Sequence, residues 1–247
     1  MDDRRAVARR DELAAALTRV RGRISAACTA AGRDPTEVRL LPVTKTFPAR
    51  DVALLVDLGL LDAAEARDAE AAAKVAEVSV LCPAVRLRWH MVGRVQRNKA
   101  RSVAQWAVQV QSVDSVRLVE ALDQGARAAQ EAGQRDALLD VLVQPSLDGD
   151  PARGGCLLPE LEALADRVAA ALQLRLAGVM GVAPLGVDPG PAFAQLFAAA
   201  QRLCRSHPGA VELSAGMSGD LEQAIMHGST CVRVGTALLG ARPLTSR

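Results

Sequence analysis

The chain has 247 residues, half of them hydrophobic, with 30 basic against 28 acidic side chains and a net charge of +2. That balance excludes a dedicated nucleic-acid binder, which carries a clear basic excess, and no uninterrupted apolar stretch of about 18 residues proposes a membrane span. Five scattered cysteines (28, 82, 156, 204 and 231) never form a Cys-x-x-Cys pair, which excludes a disulfide framework or a zinc ribbon.

Residues 4–31 carry apolar side chains at helical spacing (Val7, Leu13, Leu17, Val20, Ile24) and stop at Gly32. Short apolar runs then recur near 38–44, 60–63, 88–92, 106–111, 138–144, 175–182, 211–214 and 231–234. Between them lie helical stretches rich in Ala, Leu, Arg and Glu, at 48–58, 64–77, 96–103, 115–132, 157–172, 190–205 and 219–227. Eight strands separated by helices imply parallel pairing, because each crossover returns the chain to the same end. The predicted fold is therefore α/β, a single (β/α)8 TIM barrel over about 37–242, preceded by an extra N-terminal helix over about 4–31. One domain over residues 1–247 is expected, since no Pro/Gly/Ser-rich linker divides the chain, and a doubly wound open sheet is the alternative. The opening Met1-Asp2-Asp3-Arg4-Arg5 lacks the apolar core of a secretory leader, so a soluble cytoplasmic protein is expected.

Lysine is nearly absent: 27 of the 30 basic residues are arginine, and only Lys45, Lys74 and Lys99 are lysine. A guanidinium stays protonated, whereas an amine can be tuned and can attack a carbonyl, so a retained lysine is a candidate for chemistry. Lys45 closes the apolar run Val38–Thr44, which delivers one amine to the C-terminal end of the first strand, the active face of a barrel. The same reading places His90, Gln111 with Ser112, Gln144, Met180 and Ser214 at that face. Glycines and hydroxyls cluster in Ser214-Ala215-Gly216-Met217-Ser218-Gly219 and in Arg233-Val234-Gly235-Thr236, after the seventh and eighth strands, where barrels bind phosphate. A lysine facing a phosphate anchor points to an aldehyde cofactor that carries its own phosphate, pyridoxal 5′-phosphate. Arg233, just before the phosphate glycine, then faces the pyridine nitrogen as a permanent donor. The basic segment Arg94–Lys99 has only Trp89 beside it for stacking, so nucleic-acid binding is not expected. His90 reads equally as a pocket residue or a satisfied core histidine.

Val43-Thr44-Lys45-Thr46, Trp89-His90-Met91-Val92-Gly93 with Gln96-Arg97-Asn98-Lys99, Ser112-Val113-Asp114-Ser115, Leu213–Ser218, and Gly228-Ser229-Thr230 through Gly235-Thr236 resemble the pyridoxal phosphate homeostasis proteins, in order over about residues 10–242. The resemblance implies a barrel like the alanine racemase N-terminal barrel (fold type III) and intracellular vitamin B6 homeostasis with effects on amino-acid balance. It implies Lys45 as the Schiff-base lysine and Ser214, Gly235 and Thr236 on the phosphate. Arg233 would lie on the ring nitrogen, with Met217, Ser218 and His90 around them. No catalytic residue and no metal are implied, and the expected partners are the cofactor and cofactor-dependent apo-enzymes. A monomer is expected, with a weak dimer as the alternative. A racemase or decarboxylase of the same fold is the rival reading. A two-base racemase resembles a lysine–tyrosine pair, and this chain has no tyrosine. Two departures stand out. Where the family usually has Phe-Gly-Glu-Asn, this chain has Ala63-Ala64-Glu65-Ala66, and Ser146 and Arg153 replace an asparagine and a lysine after the fifth strand.

Overall fold

Leu13, Leu17, Val20 and Ile24 recur every three or four residues and define one buried stripe on a helix. In the computed structural model, which describes residues 2–150 and 154–241, that helix is α1 (Asp2–Ala30). It ends where Gly32 takes a left-handed conformation (φ +65°), which lets the Arg33 N–H close on Cys28 O at 2.9 Å. Val7 falls outside the stripe and is exposed.

The eight strands are β1 (Arg39–Pro42), β2 (Asp62–Glu65), β3 (Arg88–Met91), β4 (Gln109–Val113), β5 (Leu139–Val143), β6 (Leu174–Met180), β7 (Glu212–Ser214) and β8 (Cys231–Val234). The helices between and after them are α2 (Ala49–Asp57), α3 (Asp68–Leu81), α4 (Ala100–Trp106), α5 (Val116–Glu131), α6 (Leu161–Ala169), α7 (Gly190–Ser206), α8 (Leu221–Met226) and α9 (Thr236–Leu239). Every neighbouring pair is parallel, in the order β1-β8-β7-β6-β5-β4-β3-β2. The remaining seam, between β1 and β2, is closed by one bridge, Val43 to Ala64, with Thr44 N–H on Ala64 O at 2.9 Å. The sheet therefore curls into a nearly closed (β/α)8 barrel, not an open doubly wound sheet. Helix α1 covers the β1/β8 side: its stripe packs on Leu55, Leu221, Ile225, Leu238 and Leu239. Arg9 ties it to Asp51 at 2.7 Å and to Leu239 O at 2.9 Å, and Arg23 ties it to Glu222 at 2.6 Å.

Two strands lie later than the apolar pattern predicts. β2 spans 62–65, not 60–63, because Ala63-Ala64-Glu65, a helix-favouring triplet by propensity, is recruited by pairing with β3 and by the closing bridge. β4 begins at Gln109, not 106, because Trp106 ends α4, where its indole N–H donates to Asp68 Oδ1 at 3.0 Å.

The layer between sheet and helices is aliphatic, as the composition demands, with Leu122, Leu164, Phe193 and Leu196 among its buried members. The barrel lumen differs. Strands β4 and β7 are not neighbours in the sheet, yet Ser214 Oγ reaches Gln111 Oε1 at 2.7 Å and Gln109 Nε2 reaches Glu212 Oε2 at 2.7 Å. Such contacts run across the interior. Arg39, Asp62, His90, Gln109, Gln111, Glu212, Ser214 and Arg233 thus share the lumen with small apolar residues such as Ala64 and Cys231. Parallel strands buried on both faces usually read as apolar runs. Here alternate positions are polar and point inward.

Candidate functional site

At the C-terminal ends of the strands lies a cavity of about 400 Å³, within the size range of small-molecule sites. Val43, Lys45, Thr46 and Phe47 of the β1 loop line one side, and Met180, Met217, Ser218, Arg233, Gly235 and Thr236 line the other. Ala66, Val92 and Gly93 form the wall at β2 and β3. Among the described residues, the charged side chains in this lining are Lys45 and Arg233, both cationic, and no carboxylate joins them. The cavity is therefore suited to an anion.

The loop carrying Lys45 is held by α3. Lys74 is 6% exposed, and its Nζ donates to Thr44 O at 2.8 Å and to Glu65 Oε1 at 2.7 Å. Thr44 Oγ1 donates to the same Glu65 oxygen at 2.6 Å, and Thr46 N–H donates to Glu70 Oε1 at 2.6 Å. Both neighbours of Lys45 are fixed in this way. Thr46 takes φ +69°, unusual for a β-branched residue and of order 1–3 kcal/mol in strain, so the bond to Glu70 holds a conformation the residue would otherwise leave. Glu65 is fully buried, and burial pushes its carboxyl above the usual range against the opposing bonds from Lys74 and Thr44. Its Oε2 has no hydrogen-bond partner among the described residues. Lys74 therefore has a structural reason to be a lysine, because a compact ammonium bridges a carbonyl and a carboxylate in a closed space.

The opposite side is built by the loops after β7 and β8. Gly216 (φ +89°) lets the β7 loop lie against α8, where a Cβ would come within 2.6 Å of Ala224 Cβ. Met217 N–H and Asp220 close that loop, and Ser218 Oγ accepts from Ala237 N–H at 3.1 Å, leaving the hydroxyl proton to donate elsewhere. Gly235 brings β8 against β1, with a Cβ position 3.3 Å from Val43 O. Arg233 is buried, and desolvation pulls its pKa down. Its Nη1 donates to Ser214 Oγ at 2.8 Å and its Nη2 to Gly181 O at 2.9 Å.

The structure brings together Lys45, Arg233, Gly235, Thr236, Met217 and Ser218 from the set read in the sequence, with Met180. It separates the others. Ser214 is fully buried beneath Arg233, with its hydroxyl between that guanidinium and Gln111, and it is Ser218 that lines the cavity. His90 lies in the lower lumen, bonded to Gln109 and Asp62, and borders the opening at the N-terminal ends of the strands. Both corrections have one cause. Each residue sits inside a strand and points inward, not in the loop that follows. Gln111 belongs to the same lumen, and Ser112 braces the wall by donating to Gly93 O at 2.6 Å. Trp89 is buried among Val52, Ala63, Val78 and Leu87, so it offers no stacking face. Ser146 bonds within its own loop to Asp148 and Gly149, and Arg153 lies outside the described residues. Sequence reasoning missed Glu65, Glu70 and Lys74 as supports of Lys45. The signal was present in Glu70 and Lys74, an i, i+4 pair on a predicted helix containing one of the only three lysines.

Comparison with known proteins points to the same fold. Residues 17–243 match the family model described as alanine racemase, N-terminal domain. A pyridoxal phosphate homeostasis protein from Mycobacterium leprae is 51% identical over 247 residues, covering 96% of each chain. Among solved structures, an unknown protein from Bifidobacterium adolescentis superposes with a TM-score of 0.85 at 30% identity, covering 94% of this chain and 96% of its own. PipY of Synechococcus elongatus, solved with PLP bound, superposes with a TM-score of 0.78 at 32% identity, covering 92% of this chain and all of its own.

Proposed function

The chain belongs to the alanine racemase N-terminal domain family and, within it, to the pyridoxal phosphate homeostasis proteins; from that membership we propose that it holds pyridoxal 5′-phosphate in the mouth cavity and serves vitamin B6 homeostasis as a carrier. When bound, this cofactor supplies an aldehyde that condenses with a primary amine, and a ring that absorbs visible light. The observation that carries the reading is convergence. Lys45 from the loop after β1, Ser218 from the loop after β7, and Arg233, Gly235 and Thr236 from the end of β8 and the turn that follows it line one cavity.

Each residue then has a task. Lys45 is the point of covalent attachment, presented by a loop that Lys74 and Glu70 fix on either side of it. Ser218 and Thr236 offer hydroxyl donors to the phosphate, and the Gly235–Thr236 backbone approaches it without side-chain obstruction. Arg233 has five N–H donors; the bonds to Ser214 and Gly181 orient the group, and one of the remaining donors would be offered to the ring nitrogen. A permanent donor there would keep that nitrogen unprotonated and limit the ring as an electron sink. Ala66 presents a methyl group to the cavity and no hydrogen bond.

The carrier reading is favoured over a racemase or decarboxylase by the same lining. Among the described residues it contains no histidine, cysteine or carboxylate to act as a second base beside Lys45. Cys231 and His90 both lie lower in the lumen, and burial pushes the Cys231 thiol up to about 11. Cofactor-dependent apo-enzymes are the proposed recipients, with the barrel acting as one domain in the cytoplasm. Titration of the protein with pyridoxal phosphate tests the reading. Saturable binding at one site, lost in Lys45→Ala and weakened in Thr236→Val, is expected. Binding unchanged in both variants contradicts the site. Solvent deuterium entering the α-carbon of alanine at an enzymatic rate contradicts the carrier assignment.

A further inference from the structure

We propose that Arg233 is held in its orientation from the far end of the barrel, by a one-way hydrogen-bond chain running through Ser214, Gln111 and Gln109 to a doubly protonated His90 seated on Asp62. The direction of each link follows from the one before. Arg233 Nη1 can only donate, so Ser214 Oγ accepts at 2.8 Å. The one hydroxyl proton of Ser214 then goes to Gln111 Oε1 at 2.7 Å, which makes Gln111 Nε2 the donor to Gln109 Oε1 at 2.8 Å. Glu212 fixes the Gln109 amide independently, because its carboxylate accepts from Nε2 at 2.7 Å. Gln109 Oε1 is therefore an acceptor, and His90 Nδ1 at 2.9 Å must carry a proton towards it.

The other ring nitrogen faces an acceptor as well. His90 Nε2 lies 2.7 Å from Asp62 Oδ1, while Arg88 Nη2 holds Asp62 Oδ2 at 2.6 Å. Two guanidiniums that can only donate, Arg88 Nη2 on Oδ2 and Arg39 Nη1 at 3.3 Å from Oδ1, hold Asp62 as a carboxylate, so it only accepts. Both nitrogens consequently donate, and the ring is a cation at 2% exposure. The charged groups around it are Asp62 from β2, Arg39 from β1, Arg88 from β3 and Glu212 from β7. Arg39 is bonded to both Asp62 and Glu212, and its Nη1 also lies 3.4 Å from His90 Nε2, farther than Asp62 Oδ1 at 2.7 Å, so the Nε2 proton goes to the carboxylate. Cys231 of β8 completes the surroundings as a neutral thiol. With both ends ionised, no amide or hydroxyl in the chain can reverse. Gln111 and Ser214 are thus positioning residues for Arg233. Its apposition to a cofactor ring rests on the function proposed above, whereas the chain is a property of the protein alone.

Nitrogen-15 NMR of the unliganded protein tests the chain. Two directly bonded ring protons on His90 at about pH 8, and Arg233 side-chain protons protected from exchange, are expected. Gln111→Leu and Ser214→Ala should each speed Arg233 proton exchange by about tenfold, and Ser214→Thr, which keeps the hydroxyl, should restore it. With the cofactor added, the same two variants should keep the borohydride label on Lys45 but release the cofactor several-fold faster. A singly protonated His90 at that pH, or Arg233 exchange unchanged in Ser214→Ala, overturns the proposal. A wild-type protein with these NMR signatures that takes no label on Lys45 overturns the cofactor reading and leaves the chain standing.

Discussion

Replacing Lys74 by methionine removes the ammonium that bridges Thr44 O and Glu65 while keeping most of the side-chain volume. The partner left behind is fully buried, and one of its oxygens already lacks a hydrogen bond. Breaking a buried pair from one side costs about 3–5 kcal/mol, because a charge remains without compensation. Loss of the charged bond to Thr44 O lies within that range. At roughly 2–4 °C per kcal/mol for a chain of this size, the melting temperature should fall by roughly 6–20 °C. The pH dependence has a defined sign. The folded Glu65 carboxyl is raised above its ordinary 4.5, so the native state binds more protons than the unfolded one and stability falls as pH rises above that value. Without Lys74 the carboxyl rises further, and the cost of the substitution should grow from about pH 5 to pH 8. Urea denaturation at both values, with and without Glu65→Gln, measures this. The double variant should recover at least about half of the loss at pH 8. A loss under about 1 kcal/mol at pH 8, or an equal loss in the Glu65→Gln background, refutes the account of the clamp.

Asp62→Asn should destabilise by about 1–2 kcal/mol near neutral pH, with allowance for solvent on the Arg88 side of the cluster. The folded carboxyl titrates at about 2 against an ordinary 3.8, so the wild-type advantage is present above about pH 4 and lost as pH falls through 2; acid denaturation curves that fail to converge would contradict this. Gly93→Ala should abolish the native mouth, since its Cβ would sit 2.1 Å from Ala66 O, a backbone atom that cannot yield, and a soluble variant with unchanged melting would contradict it. Ala66→Asn should tighten cofactor retention by about fivefold to tenfold by adding one hydrogen bond to the cavity wall, read as a slower release rate; faster release would show that position 66 does not face the cofactor.

The alternation of short apolar runs with helical stretches was sufficient for the barrel, because each βα unit leaves a period in the sequence that survives without knowledge of its neighbours. β2 was legible only approximately. Ala63-Ala64-Glu65 follows helical propensity, and only pairing with β3 and the closing bridge to Val43 makes it a strand. Among the residues that line the cavity, Lys45, Ser218, Gly235 and Thr236 stand out in the sequence because they lie beside distinctive glycines and hydroxyls at strand ends, and Arg233 because it lies two residues before Gly235. His90, one residue inside the end of β3, and Ser214, the last residue of β7, point into the lumen below the mouth, and that depth depends on strand tilt and register. The polar lumen itself was written in Gln109-Val110-Gln111, Glu212-Leu213-Ser214 and Cys231-Val232-Arg233, where polar residues alternate within otherwise apolar strands. What a single sequence does not carry is which of those residues meet across the barrel.

The central claim is that Lys45 is where the cofactor is held. Its most direct test is to mix the purified protein with pyridoxal phosphate, reduce with borohydride and map the modified peptide by mass spectrometry. One label per chain, on the peptide containing Lys45 and absent from Lys45→Arg, is the predicted result. A label distributed over Lys45, Lys74 and Lys99, or none while the protein remains folded, would contradict it.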